Sequence, residues 1–158
     1  MEFEINAVLI GTGATVIMDL WALFQKRVFG VPALNYAMVG RWIGHLPRGH
    51  FIHDNIGKAV PIHGEKMLGW GAHYVIGIIF AAGLLVFWGP EWAFSPTLMP
   101  AITVGLLTVM APFFILQPAM GAGVAASRTP NPNISRLRSL IAHFSFGLGL
   151  YISAMIWS

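Results

Sequence analysis

Four apolar segments, 5–24, 67–88, 98–116 and 140–157, constrain this chain more than any other feature. Each approaches the twenty or so residues that a helix needs to cross a bilayer core about 30 Å thick. Lipid offers no partners for backbone amides and carbonyls, so segments of this kind are predicted to be helices. The fourth is barely long enough. Only 9% of the 158 residues are charged and 56% are hydrophobic, which leaves too little polar surface to cover a water-soluble globule. The pattern therefore reads as all-α, a polytopic membrane protein with four transmembrane helices in an up-and-down bundle, a single domain over 1–158. A soluble enzyme is excluded.

The nine basic residues set an orientation. Lys26, Arg27, Arg41, Arg48, Lys58 and Lys66 lie between the first two segments, and Arg128, Arg136 and Arg138 between the last two. The amino terminus, the short connection after Trp88 and the carboxyl terminus have none. By the positive-inside rule the two basic stretches are cytoplasmic and both termini lie outside. The basic residues stand singly or in pairs rather than in a patch, so nucleic acid is not an expected partner and the lipid bilayer is. Glu2 and Glu4 open the first segment where a cleaved leader would be basic, so this segment is expected to persist as a helix. With no cysteine, disulfides, thiolate metal sites and cysteine nucleophiles are closed.

Finer features fit this frame. Trp88, Trp92, Tyr151 and Trp157 fall toward the outer interface, and Trp21 and Trp70 toward the inner one. After Pro32, Leu34, Met38 and Trp42 recur every four residues, which predicts a short interfacial helix in the first basic stretch. Thr129-Pro130 and Asn131-Pro132 mark the second as a turn-rich connection. Ala72-His73-Tyr74 followed by Gly77 matches Ala142-His143-Phe144 followed by Gly147, and Thr15-Val16 is faintly echoed by Thr108-Val109. These echoes raise a tandem repeat of a helical hairpin.

Asp19, His73 and His143 each stand about six residues from the inner end of a segment, roughly 9 Å deep at 1.5 Å per residue, and Gln117 sits somewhat nearer the surface. Ionisable groups within membrane helices are costly and face a bundle interior or a hydrated cavity, which makes this layer the candidate site. Its bland reading is structural: a neutral histidine needs one partner, and Asp19 could reach water or Arg138. Three active readings stand beside it. In an up-and-down bundle the two histidines are diagonal, as for axial ligation of haem b; with Asp19 they could hold a divalent metal; or the same groups could relay protons in a small transporter. Arg41, His45, Arg48 and Arg128 are expected at the cytoplasmic mouth.

His45, His50, His53 and His63 with Asp54 and Glu65 are a second concentration of possible ligands, but their spacing matches no zinc signature, so a solvated loop is the preferred reading. Gly11-Thr12-Gly13 and Gly121-Ala122-Gly123 lack the strand-to-helix setting of a phosphate loop. Pro112 and Pro118 should kink or end the third helix. No serine, histidine and acid spacing suits covalent catalysis, so no catalytic residue is named and the reading inclines away from an enzyme.

Taken together, Gly11-Thr12-Gly13-Ala14-Thr15 through Met18-Asp19-Leu20-Trp21, Gly40-Arg41-Trp42-Ile43-Gly44-His45 with Pro47-Arg48-Gly49, Gly121 through Pro130, and Leu137-Arg138-Ser139-Leu140 through His143 resemble a bacterial inner-membrane family catalogued as domain of unknown function 2938. The resemblance runs over nearly the whole chain. It implies a bacterial plasma membrane location and four helices, and it brings no activity or ligand. The expectation is a bundle whose inner layer binds a small ligand, a cofactor or a proton. The competing class is an accessory subunit whose glycine-rich faces on helices one, two and four pack against a larger membrane complex or a second copy.

Overall fold

A computed structural model describes residues 2–157, and among them there are helices and no strand. Glu2 and Glu4 in the first turn of α1 (Glu2–Phe29) and Lys26 and Arg27 in its last turn complement the helix dipole. The helix stops where Gly30 takes φ +65° and the Val31 N–H turns back to the Gln25 carbonyl at 3.3 Å. It is longer than the predicted 5–24, because its end turns are polar and hydropathy does not count them.

The helix expected in the first basic stretch is α2 (Tyr36–His45), capped by Asn35, whose side chain accepts from the Ala37 N–H at 3.1 Å. It is followed by two single 3₁₀ turns, Leu46–Arg48 and Ile56–Lys58. α3 (Glu65–Trp88) ends at Gly89, φ +91°, before Pro90. α4 (Leu98–Ala119) departs from α geometry where the prolines predicted trouble. It turns at Thr108, then runs as a π-helix over Pro112–Leu116, since Pro112 has no N–H for the α ladder.

α5 (Pro132–Trp157) corrects the expectation of a fourth helix barely long enough. It has 26 residues, beginning at Pro132 rather than Leu140. Proline suits a first helical position, and the opening turns carry Asn133, Ser135, Arg136 and Arg138, a helix that hydropathy cannot see.

α1, α3, α4 and α5 are each long and apolar enough to cross a membrane, with mean hydropathy of 1.6 to 2.0. Only 22 to 39% of their apolar windows is buried within the molecule. Side chains as large as Met67, Phe87 and Met99 point outward, a surface that fits lipid and not water.

The chain divides into two compact units. The first comprises the described parts of Met1–Ala33, Tyr74–Thr108 and Leu140–Ser158, so pieces of all four long helices. Its core gathers Ile10, Leu84, Leu85, Phe146 and Leu150. Trp92, expected at an interface, is buried in this core at 6% exposure. Backbones approach closely where glycine allows it: a Cβ on Gly11 would lie 2.5 Å from the Ile78 Cα, and one on Gly105 2.5 Å from the Gly147 Cα. Thr15 donates back to the Gly11 carbonyl at 2.8 Å and Thr108 to the Gly105 carbonyl at 2.6 Å. The two hairpins thus repeat one device, a glycine contact with a threonine folded onto its own helix. Gly13 against Ser153 and Gly149 against Ala14 join α1 to α5. These glycine faces are therefore used inside the chain.

The second unit, Leu34–His73 with Val109–Ser139, holds α2, the loop after it, the start of α3 and the 120–131 segment. Gly40 and Gly69 let α2 and α3 touch through their backbones. The two basic stretches are sewn together by His53 N–H to Ala119 carbonyl, 2.8 Å, and Ile56 N–H to Met120 carbonyl, 3.1 Å.

Candidate functional site

Each polar group predicted within a span meets a side-chain hydroxyl. In the first unit, the Tyr74 hydroxyl donates to the Asp19 carboxylate at 3.1 Å. His143 Nδ1 lies 2.8 Å from Thr108 Oγ1, and that hydroxyl has one proton, which the Gly105 carbonyl takes at 2.6 Å. The ring must then supply the other hydrogen. This fixes Nδ1–H as the donor and leaves Nε2 with the lone pair in the neutral ring. The glycine contact, the threonine and the histidine are consequently one assembly: Gly105 brings the backbones together, and the same turn aims Thr108 at His143.

In the second unit, His73 Nε2 is 3.0 Å from the Tyr36 hydroxyl, and the two rings lie tilted by 31° with centroids 4.2 Å apart. Trp70 packs on the same tyrosine at 4.4 Å. Tyr36 is placed by the Gly40–Gly69 contact, since its own carbonyl is the atom that a Cβ on Gly69 would strike. Gln117 donates to Ser139 Oγ at 3.2 Å, and its Oε1 is buried with no hydrogen-bond partner. Tyr36, Tyr74 and Thr108 were not singled out as site residues from the sequence. The available signal was the place of Tyr74 and Thr108 near the predicted polar depth, Tyr74 being the very neighbour of His73; Tyr36, in the first basic stretch, gave none.

Of the residues expected at a mouth, Arg48 and Arg128 are exposed, whereas Arg41 is 7% exposed and fully engaged. Its Nε and Nη2 pair with the two oxygens of Glu65, 2.8 Å each, and Nη1 donates to the carbonyls of Ile56, Gly57 and Ala59. Glu65 also accepts from the Ile62 N–H at 3.0 Å. A fork donor matched to a carboxylate in this way is a staple for the loop. The Glu65 carboxylate holds the Arg41 guanidinium above its ordinary range.

His45, at 8% exposure, faces the Val60 carbonyl through Nε2 at 3.0 Å. A ring nitrogen against a carbonyl must carry hydrogen, so in the neutral ring Nδ1 accepts, here from His53 Nε2 at 3.4 Å. His53 Nδ1 is buried without a partner. His50 completes the cluster, with ring centroids 6.1 and 6.5 Å from the other two. Among the described residues no three His, Asp or Glu side chains are grouped so that they could hold a metal ion.

The segment beyond Gln117 is unusual in its backbone. Gly121 and Gly123 have φ of +93° and +76°, and Ala125 and Ala126 follow at +46° and +59°, a region that side chains with a Cβ avoid. Arg136 Nε donates to the Ala125 carbonyl at 2.8 Å and holds this turn against the start of α5.

Comparison with curated proteins and with solved structures gives no match. A family model covers nearly all of the chain, including every residue of the candidate site. The chain belongs to the family described as protein of unknown function (DUF2938), whose model matches residues 8–157.

Proposed function

We propose that this is a multi-pass membrane protein that handles protons through Asp19, His73 and His143, with the Gln117 amide as a further polar contributor. The observation that carries the reading is the pairing of each of the three ionisable side chains with a hydroxyl, Tyr74, Tyr36 and Thr108 respectively. A hydroxyl donates and accepts on one atom, so a carboxylate or imidazole bonded to it is set to exchange a proton. In this reading the molecule sits in a bacterial plasma membrane, with its two basic stretches in the cytoplasm and both termini outside. The distribution of Lys and Arg supports that orientation.

The test is proton flux in liposomes loaded with a pH-sensitive dye. Vesicles containing the protein should acidify faster than empty vesicles under an imposed pH gradient. Asp19→Asn and His143→Gln should each slow that flux by about ten-fold or more, as expected when a proton carrier is removed. Flux equal to empty vesicles, or unchanged in both variants, would sink the proposal.

A further inference from the structure

The loop after α2 gathers imidazoles that proton handling does not use. The Val60 carbonyl, 3.0 Å from His45 Nε2, keeps hydrogen on that nitrogen and leaves the Nδ1 lone pair toward His53. His53 Nε2 stands 3.4 Å away, longer than the roughly 2.7–3.2 Å of a well-made hydrogen bond. The other nitrogen of His53 is buried without a partner, so the protein alone satisfies neither nitrogen of this ring well. The two ring centroids are 5.1 Å apart. Rings meeting head-on along a bond of this length would have centroids about 5.7 Å apart, so these two nitrogens do not face each other squarely. Two imidazole nitrogens held at about 2.0–2.1 Å by one tetrahedral ion are about 3.3–3.4 Å apart, with centroids about 5.2 Å apart. The pair has that spacing.

Backbone bonds bring the rings together. After the turn at Gly49, φ +78°, the His50 N–H returns to the His45 carbonyl at 3.3 Å, and the His53 N–H is fixed on the Ala119 carbonyl. His50 is exposed, with centroids 6.1 and 6.5 Å from the other two, about 1 Å beyond the place of a third ligand. As the rings stand, two nitrogens share a point and a third lies one side-chain rotation away. We propose that His45 Nδ1 and His53 Nε2 seat a zinc ion, with His50 turning in as third ligand and water as the fourth. The Val60 carbonyl then plays the part usual behind a metal-bound histidine, fixing the tautomer through the far N–H. Through the bond from His53 to Ala119, the ion clasps this loop to the end of α4. The inference is independent of proton handling, since it uses none of the same residues.

The test uses the full chain without an affinity tag, purified in detergent and stripped with a chelator. Zn²⁺ alone is titrated by calorimetry, and Co²⁺ is added in parallel because its visible spectrum distinguishes tetrahedral from octahedral ligation. One Zn²⁺ should bind per chain, and Co²⁺ should give the tetrahedral spectrum. His45→Gln and His53→Gln should each weaken binding by at least about ten-fold, and His50→Ala by less. His63→Ala, an exposed histidine of the same loop, should leave binding unchanged. Zn²⁺ should also slow proteolysis within 46–64 in the wild type and not in His53→Gln. Should buried His45 not tolerate replacement, the less buried His53 and the wild-type cobalt spectrum decide. Three results overturn the inference: no binding at millimolar Zn²⁺, binding that His53→Gln leaves unchanged, or an octahedral cobalt spectrum, the mark of an adventitious surface ion.

Discussion

Thr108 shows how much one hydroxyl decides. It bonds at once to a carbonyl of its own helix and to His143, and the single proton of the hydroxyl dictates which nitrogen of the ring carries hydrogen. Thr108→Val keeps the shape and removes both bonds. Loss of a partner by a part-buried imidazole typically costs about 1–3 kcal/mol, so this variant should unfold at a clearly lower temperature in the same detergent. Thr108→Ser restores the oxygen and should recover most of the loss. Equal destabilisation by both would show that the methyl, and not the hydrogen bond, matters at this position. Nothing in the sequence distinguished Thr108 from other apolar-helix threonines except its echo of Thr15. That echo proved to be a shared back-bonded geometry, although Thr15 folds onto Gly11 four residues back and Thr108 onto Gly105 three residues back.

Among the elements, α2 is held by contacts that carry no hydropathy signal. Met38 and Trp42 lie in the helix and Leu34 two residues before it, yet the buried positions are Val39, Gly40, Arg41 and His45, so the docked face is not the one that the four-residue spacing marked. A glycine contact and an ion pair do that work: Gly40 lies against Glu65 and Gly69, and Arg41 grips Glu65 and three loop carbonyls. Gly40→Ala would force a methyl into the backbone of α3, and Glu65→Gln would remove the charge that matches a buried guanidinium. Both should loosen the loop at 46–64 and accelerate its cleavage in limited proteolysis, while Gly71→Ala, with open space at its Cβ, should not. The same blindness explains the ends of α1 and α5. Hydropathy located four long helices because length and apolar content specify them, and it truncated both helices where polar turns continue the backbone pattern. It also suggested a common depth for Asp19, His73 and His143, and it carried no sign of their hydroxyl partners, since partnership depends on rotation and close approach rather than on depth.

At the level of the whole molecule, the nine bases sort by position along the chain in a way that the helices alone do not require. Four apolar helices could be inserted in either sense; the placement of Lys and Arg is what breaks that symmetry. The chain contains no cysteine, so one introduced thiol reports one location without background. Ser95→Cys, in the connection between α3 and α4, should react with a membrane-impermeant maleimide added to intact cells expressing the protein. Asn131→Cys, just before α5, should react only after the membrane is permeabilised. Both substituted residues are exposed. The reverse pattern would invert the molecule and put Lys26 and Arg27 on the outer side. Labelling of both thiols from outside would argue against a fixed orientation and against any vectorial use of Asp19, His73 and His143. A clean split would instead give those three side chains a defined entry side, which is the condition for a proton gradient to act on them in one direction.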